Sequence, residues 1–370
     1  MGENDAVTLS VDGMDYRGWT SVRLGAGILR QARDFELGIT WKGPGQAQAI
    51  PIRYGARVEL RIGADLVLTG HVDATPVDYD SRQVTRRVTG RSLTADLVDC
   101  AAISEPGQWL GQRVQAIVQA LASPYGVKVR SEVTATVELA DHSIEPGETV
   151  FQSIDRLLTL SQLLSTDDAR GQLVIVQPGS AGRAFDSLEL GRNILSCQAP
   201  QDFAPVFSEY RVIGQAAGSD DLFGAEANEI EAVVTDPRAA RSRVLIISQS
   251  GDITEPLARA RAEWERASRI GKALSTTYRV QGWRQSNGVL WVPNLIVPVL
   301  DPIAGYDRDM LITEVEYQLD GGGTIASLTV APPESVEPEP KDPHKARKLK
   351  KGGRADNFEY LLPADWESTL

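Results

Sequence analysis

The chain has 370 residues, a hydrophobic fraction of 42 % and a formal net charge of −12 at pH 7. That length holds two or three domains with real cores, and the composition is ordinary for a soluble globular protein. The acidic balance argues against tight general nucleic-acid binding by the body, and no apolar run approaches the ~20 residues that span a bilayer. The start, MGENDAVTLSVDG, has neither the basic nor the apolar region of a signal peptide and lacks the Ser/Thr of a myristoylation signal. Two cysteines, Cys100 and Cys197, predict cytosolic synthesis with free, buried thiols.

Residues 1–91 read as a first β domain. Val7, Leu9 and Val11 alternate, and Asp12-Gly13 signals a turn. Trp19–Leu24, Phe35–Trp41 and Val58–Ile62 are further strands, with Gly43-Pro44-Gly45 as a break. Strands at roughly ten-residue spacing suit a small barrel or sandwich. Trp19, Phe35 and Trp41 lie in alternating strands, which favours core packing over a ligand platform. The stretch 66–100 then reads as strand, turn, strand, helix. Gly70 interrupts its first strand, Pro76 ends it, Gly90 punctuates, and Ser92 is a candidate N-cap before Leu93, Ala95, Leu97 and Val98.

Residues 92–200 change to an α+β pattern. Residues 109–121 put Leu110, Val114, Ile117, Val118 and Leu121 on one helical face. A longer helix is predicted over Glu148–Leu164, and strands over Val127–Arg130 and Gln172–Gln177. The adjacent Asp167 and Asp168 have the composition of a cation site. With no third oxygen ligand spaced to help, they read as a solvated turn.

Residues 201–333 return to β, with strands at 208–213, 230–234, 244–247, 275–281, 294–300, 311–319 and 325–330. One helix follows Thr254, with Pro256 in its first turn and Trp264 on its apolar side, read as core. Gly321-Gly322-Gly323 marks a hairpin. Residues 57–73 and 294–316 share a plan: an alternating strand, an Asp-containing turn, then an apolar run leading to Thr and Val. This is a weak internal repeat of low identity.

Residues 334–370 form a Pro/Glu linker, a basic tract and an aromatic tail. Residues 341–354 hold seven Lys/Arg against one Asp, a composition of nucleic-acid or anionic-surface binding and equally of a solvated tail. Phe358, Tyr360, Leu361 and Trp366 are candidate partner-docking residues, since apolar side chains at the end of a linker need somewhere to dock.

Catalytic signatures are missing. The histidines are His71, His142 and His344, with no Gly-x-Ser-x-Gly, His-Glu-x-x-His, Cys-x-x-Cys or phosphate-binding glycine loop. Gly25-Ala26-Gly27 is half of a dinucleotide loop. No catalytic, metal or cofactor residue is assigned. A carboxylate pair for glycoside hydrolysis has the raw material but nothing to single it out.

The order and spacing of GWTSVRLGAGILRQARDFELGITW, PIRYGARVEL, VLTGHVD and GRSLTADLVDC resemble the baseplate hub proteins of Mu-type contractile phage tails. So do SIDRLLTLSQLLSTDDARGQLVIVQPG, GRNIL and ITEVEYQLDGGGTIASLTVAPP, and the resemblance covers about residues 7–333. Trp19, Gly70, Gly90, Arg91, Ser92, Asp96 and Leu97 are its structural motif residues. It implies a mainly β chain with an α+β insertion: two tube-type β-barrels, a small α+β domain and a flexible C-terminal tail, similar in fold to the T-even tail hub. It implies a homotrimer whose two barrels per chain make a pseudo-sixfold ring between the tail tube protein and the central spike protein. Contacts with other baseplate proteins follow, with DNA only passing through the channel and no stable membrane insertion. The implied location is the virion tail, after synthesis in the host bacterial cytoplasm. The alternative is a tail-associated protein that binds glycans or cleaves peptidoglycan. A third reading is nucleic-acid binding through residues 341–354.

Overall fold

The computed structural model describes residues 5–42, 52–105, 107–133, 141–215 and 229–341. The basic tract beyond Lys341 and the candidate docking residues Phe358, Tyr360, Leu361 and Trp366 lie outside the described residues, as do Gly43–Gly45 and the Trp41 side chain. No helix among the described residues is long and apolar enough to cross a membrane.

The first β unit contains β1 (Val7–Val11), β2 (Met14–Tyr16), β3 (Ser21–Gly27), β4 (Asp34–Lys42), β5 (Arg57–Ile62), β6 (Asp65–Ala74), β7 (Val77–Tyr79) and β8 (Gln83–Ser92). Their order is β3-β4-β8-β6-β5-β1-β2, with β7 added along β8. Gly70 does not interrupt its strand; β6 runs through it, and the break comes at Pro76, which cannot donate to a ladder.

The α+β insertion follows: α1 (Ala95–Asp99), β9 (Gln108–Leu110), α2 (Val114–Ala122), β10 (Val129–Ser131), β11 (Asp141–Ser143), α3 (Val150–Thr159), β12 (Leu164–Asp167) and β13 (Leu173–Val176). Three expected features shift here. Trp109 and Leu110 belong to a strand, not the helix, and Leu110 is exposed. The second helix is shorter than Glu148–Leu164. Thr149 caps it in a capping box with Gln152, and Gln162 takes a φ of 56° that no helix tolerates, so Leu164 begins a strand. Ser92 ends β8 and caps nothing; Thr94 precedes α1 with no side-chain cap bond.

The remaining elements are β14 (Leu188–Glu189), β15 (Ile194–Gln198), β16 (Glu209–Gln215), β17 (Glu229–Thr235), β18 (Val244–Asp252), α4 (Glu255–Leu274), β19 (Thr276–Gln281), β20 (Ile296–Asp301), β21 (Tyr306–Asp320) and β22 (Gly323–Ala331). Two corrections apply. β16–β18, expected inside the second barrel, make their own three-stranded sheet under α4, with Tyr210, Val212, Ala258 and Ala262 as its core. β14 and β15, expected in the insertion, belong to the second β unit.

The weak repeat is real in the topology. The order β3-β4-β8-β6-β5 reappears as β15-β19-β22-β21-β20. In each copy a hairpin, β5–β6 or β20–β21, is followed by a strand antiparallel to its second arm. The two units are then fused edge to edge. β21 pairs with β20 over Tyr306–Leu311, passes a bulge, and pairs with β3 over Glu314–Leu319. A single 14-stranded sheet results, and one continuous apolar core fills both units from Val7 to Val330.

The Pro/Glu linker is docked for its first residues. Val336 is buried against Ile28, Leu311 and Ala331. Trp264 is half-buried rather than core; its Nε1 donates to the Glu337 carbonyl at 2.7 Å. Arg261 pairs with Glu339, whose carbonyl accepts from Gln162 Nε2 at 3.3 Å. Residues 332–341 thus strap α4 to the insertion.

Candidate assembly interfaces

Gly70, Gly90, Ser92, Asp96 and Leu97 lie around one joint between the first β unit and the insertion. Gly70 lies opposite Ser92 and Val72 opposite Gly90 in the β6–β8 ladder. A β carbon at Gly70 would fall 1.9 Å from the Arg91 carbonyl oxygen. One at Gly90 would fall 2.1 Å from the His71 carbonyl oxygen and 2.7 Å from the Phe35 ring. Neither glycine has a positive φ; both serve close packing. Leu97 is fully buried in the insertion's core, and Asp96 sits in the first turn of α1, where a negative charge suits the helix dipole. Trp19 is buried in the main core, as expected, with its Nε1 lacking a partner among the described residues. Arg91 turns outward, held by Asp99 at 2.6 Å and Asp73 at 2.8 Å. Those hydrogen bonds, Asp99 first, raise its pKa further above the usual guanidinium range and hold the Asp99 carboxyl below its own.

Ser92 has a different role from the expected one. Its Oγ accepts from the Arg33 amide at 3.1 Å and lies 2.9 Å from Thr94 Oγ1, which donates to the Gln31 carbonyl. Beside them is Asp167, and the solvated-turn reading fails for it. Its carboxylate is buried and accepts from the Arg33 amide and Arg33 Nε, both at 3.1 Å. Arg33 also donates to the Val67 and Asp167 carbonyls. Burial pushes the Asp167 carboxyl up against the pull of Arg33. Asp168 behaves as expected of a turn residue, accepting from the Arg170 and Gln172 amides. The first β unit and the insertion are therefore locked by a buried ion pair that neither segment reveals alone.

No group of three or more His, Cys, Asp or Glu among the described residues is arranged to hold a metal. His142 Nε2 does meet Ser153 Oγ at 2.9 Å, a pairing not foreseen, but both are buried and His142 stacks on Trp109. Gly25 and Gly27 belong to β3, not a nucleotide loop. Both thiols are free, but Cys100 is only half-buried and Cys197 is exposed, against the expectation.

Each β unit leaves a corresponding edge of the long sheet bare among the described residues. One is β15 from Leu195 on, past a bridge between Leu190 and Ile194. Leu195 is 55 % and Ile303 85 % exposed, and they share a cleft of about 400 Å³ with Leu190 and Cys197. The other is the outer edge of β6–β7 from Asp73 on, where Val77 is 44 % and Tyr79 80 % exposed.

Comparison with known proteins follows the same segments. Residues 6–92 match the family described as Mu phage baseplate assembly protein GpP-like, N-terminal. Residues 94–177 match Baseplate hub protein gp44-like, second domain, and residues 254–339 match Mu phage baseplate assembly protein GpP, fourth domain. The chain is 34 % identical to the baseplate hub protein gp44 of Escherichia phage Mu over 379 residues, 98 % of this chain and 96 % of that one. Its fold is similar to the crystal structure of the prophage MuSo2 43 kDa tail protein from Shewanella oneidensis. The TM-score is 0.82 at 32 % identity, covering 90 % of this chain and 99 % of that one. The tail protein from Neisseria meningitidis MC58 shares the fold at TM-score 0.74 and 24 % identity, over 88 % and 96 % of the two chains. The chain belongs to the family of Mu-type phage baseplate hub proteins.

Proposed function

We propose that this chain is the structural, non-catalytic hub of a contractile tail baseplate. Three copies close head to tail into a ring of six alike β units that joins the tail tube to the central spike. It is made in the host cytoplasm and works in the virion among the other baseplate proteins. The observation that carries this reading is the duplicated unit, whose copies are fused through β21 and β3 while the equivalent edges, β6–β7 and β15, are bare. A heterologous contact that repeats must close into a ring or run on as a filament.

The internal seam gives a template for the external one. The bulge after Val72, opposite Gly90, matches the bulge after Ile312, opposite Val330. In that alignment Leu319 of β21 corresponds to Tyr79. On the other strand Val22 lies opposite Leu37, which lies opposite Val88; Cys197 lies opposite Tyr278, which lies opposite Leu328. Val22 therefore corresponds to Cys197. Since Val22 pairs with Leu319 inside the chain, Tyr79 of one copy faces Cys197 of the next.

The test is Tyr79→Cys in a Cys100→Ser background. Partial desolvation of the otherwise exposed Cys197, with the Asp301 charge beside it, pushes the thiol up, so oxidation belongs on the alkaline side. The expected product is a covalent trimer on a denaturing gel, lost when Cys197→Ser is added. Light scattering of the unmodified protein should give three chains. A protein that stays monomeric with its spike and tube partners present would overturn the ring.

A further inference from the structure

One loop of the small sheet under α4 concentrates positive charge in an otherwise acidic chain. Residues 236–243 join β17 to β18 and read DPRAARSR, three arginines against one Asp. That Asp is occupied within the loop: the buried Asp236 carboxylate accepts from Arg238 Nε at 2.8 Å and Nη2 at 3.0 Å. Arg243 is fixed as well. Its Nη1 donates to the Ala204 and Val206 carbonyls at 2.6 and 3.1 Å, and its guanidinium lies 4.6 Å over the centre of the Phe207 ring. Arg241 is exposed and makes no hydrogen bond or ion pair among the described residues.

Between this loop and residues 203–206 opens a cleft of about 490 Å³. Its walls are apolar: Phe203, 43 % exposed, with Val206, Ala239 and Ala240. The three arginines line it too, and no carboxylate does. Asp202, next to it in sequence, turns onto the Ala204 amide at 2.8 Å. Val206 packs on Ile270 and Ala273, which places the cleft at the C-terminal end of α4.

An apolar cleft rimmed by guanidinium groups fits aromatic side chains with carboxylates beside them. The rings pack on the apolar wall and over the guanidinium planes, and the carboxylates take the charged donors. We propose that the occupant is the segment 355–370 of the same chain. It reads ADNFEYLLPADWESTL, four carboxylates and no Lys or Arg, interleaved with Phe358, Tyr360 and Trp366. Charge selects this stretch over the preceding basic tract, which the arginines repel. The tether is long enough. The strap holds Glu337 and Glu339 against Trp264 and Arg261 of α4. From Arg261 to Ile270 is ~14 Å along the helix axis. The chain from Lys341 to Asp356 spans up to ~50 Å when extended. Docked this way, the tail holds the basic tract at both of its ends.

The test uses the full chain with Ala240→Cys in a Cys100→Ser/Cys197→Ser background and follows alkylation of that thiol by neutral iodoacetamide. A flexible tether gives an effective concentration of about 1 mM, so a site of about 0.1 mM affinity is filled about ten times as often as it is empty, and alkylation slows about tenfold. Adding Phe358→Ser/Tyr360→Ser/Trp366→Ser should restore the fast rate, and high salt should restore part of it. Equal rates with and without the tail aromatics overturn the proposal. So does protection that disappears on dilution, which would put another copy's tail in the cleft. If Ala240→Cys does not fold, a labelled peptide of residues 355–370 is titrated into the full chain carrying only the three serines in its tail. It should bind there, about tenfold more weakly to the parent, whose own tail competes, and more weakly after Arg241→Gln. A peptide that does not bind, or that binds all three proteins alike, overturns the proposal.

Discussion

The two β units have the same strand order but treat their longest strand differently. In the second unit β21 runs unbroken from Tyr306 to Asp320. In the first, the same length is cut at Pro76 into β6 and β7. The reason is the partner. Glu314–Leu319 has β3 beside it in the same chain, and a proline there would remove a needed donor. On its outer side Asp73–Tyr79 has no strand beside it among the described residues, and a bare, flat edge invites any strand it meets. Proline blunts that edge, while Val77 and Tyr79 leave apolar surface exposed along it. The duplicated units diverge at the edge where one copy has its neighbour in the same chain and the other has none among the described residues.

Four substitutions press on this comparison. The first unit alone is tied to the insertion by the buried Arg33–Asp167 pair. Asp167→Ala removes the buried carboxylate that the half-buried Arg33 side chain and its amide donate to, and should cost about 3 kcal/mol in urea unfolding. The exposed Arg183–Asp309 pair flanks the second unit, and Arg183→Ala should leave the midpoint within error. Equal losses would erase the distinction. Next, Gly90→Val installs in the first unit the residue that the second carries at the same register, Val330. The Phe35 ring and the His71 carbonyl occupy that space, so the exchange should cost about 3 kcal/mol by the same measurement. A neutral result would mean that the units are interchangeable at their centres. The smallest effect is in pH. Arg91 holds Asp99 below its ordinary value of 3.8, so the stabilisation is complete above that pH and is lost as pH falls through the lower folded value. The melting temperature of the protein should therefore drop more steeply below pH 4 than that of Arg91→Gln.

Much of the sheet was legible because alternation is a local signal. Val58, Leu60 and Ile62 are all buried, as their spacing requires. The docking joint was not. Asp167 beside Asp168 has the look of a turn, and its partner Arg33 lies 134 positions away. Ser92 stands where an N-cap would, and only the Arg33 amide shows what it accepts from. Trp264 falls on the apolar stripe of its helix, but the segment it meets is Glu337, in a run whose composition spells linker. The helix at 148–164 was overdrawn because Leu163 and Leu164 continue the apolar rhythm. The helix ends at Thr159, and Gln162 then takes a backbone conformation that no periodicity reports. The missing signals are long-range contacts and single-residue geometry, which pattern reading does not carry.

The handover in β21 has a mechanical side. Six residue pairs, Val22–Gly27 against Glu314–Leu319, hold the two units together through backbone hydrogen bonds that lie across the strand direction. A pull along those strands loads the six pairs together, in shear, and they yield only together. A pull across them would open one pair at a time. A joint made of strand pairing is therefore strong along one axis and weak along another, so the direction of a load decides whether the two units part.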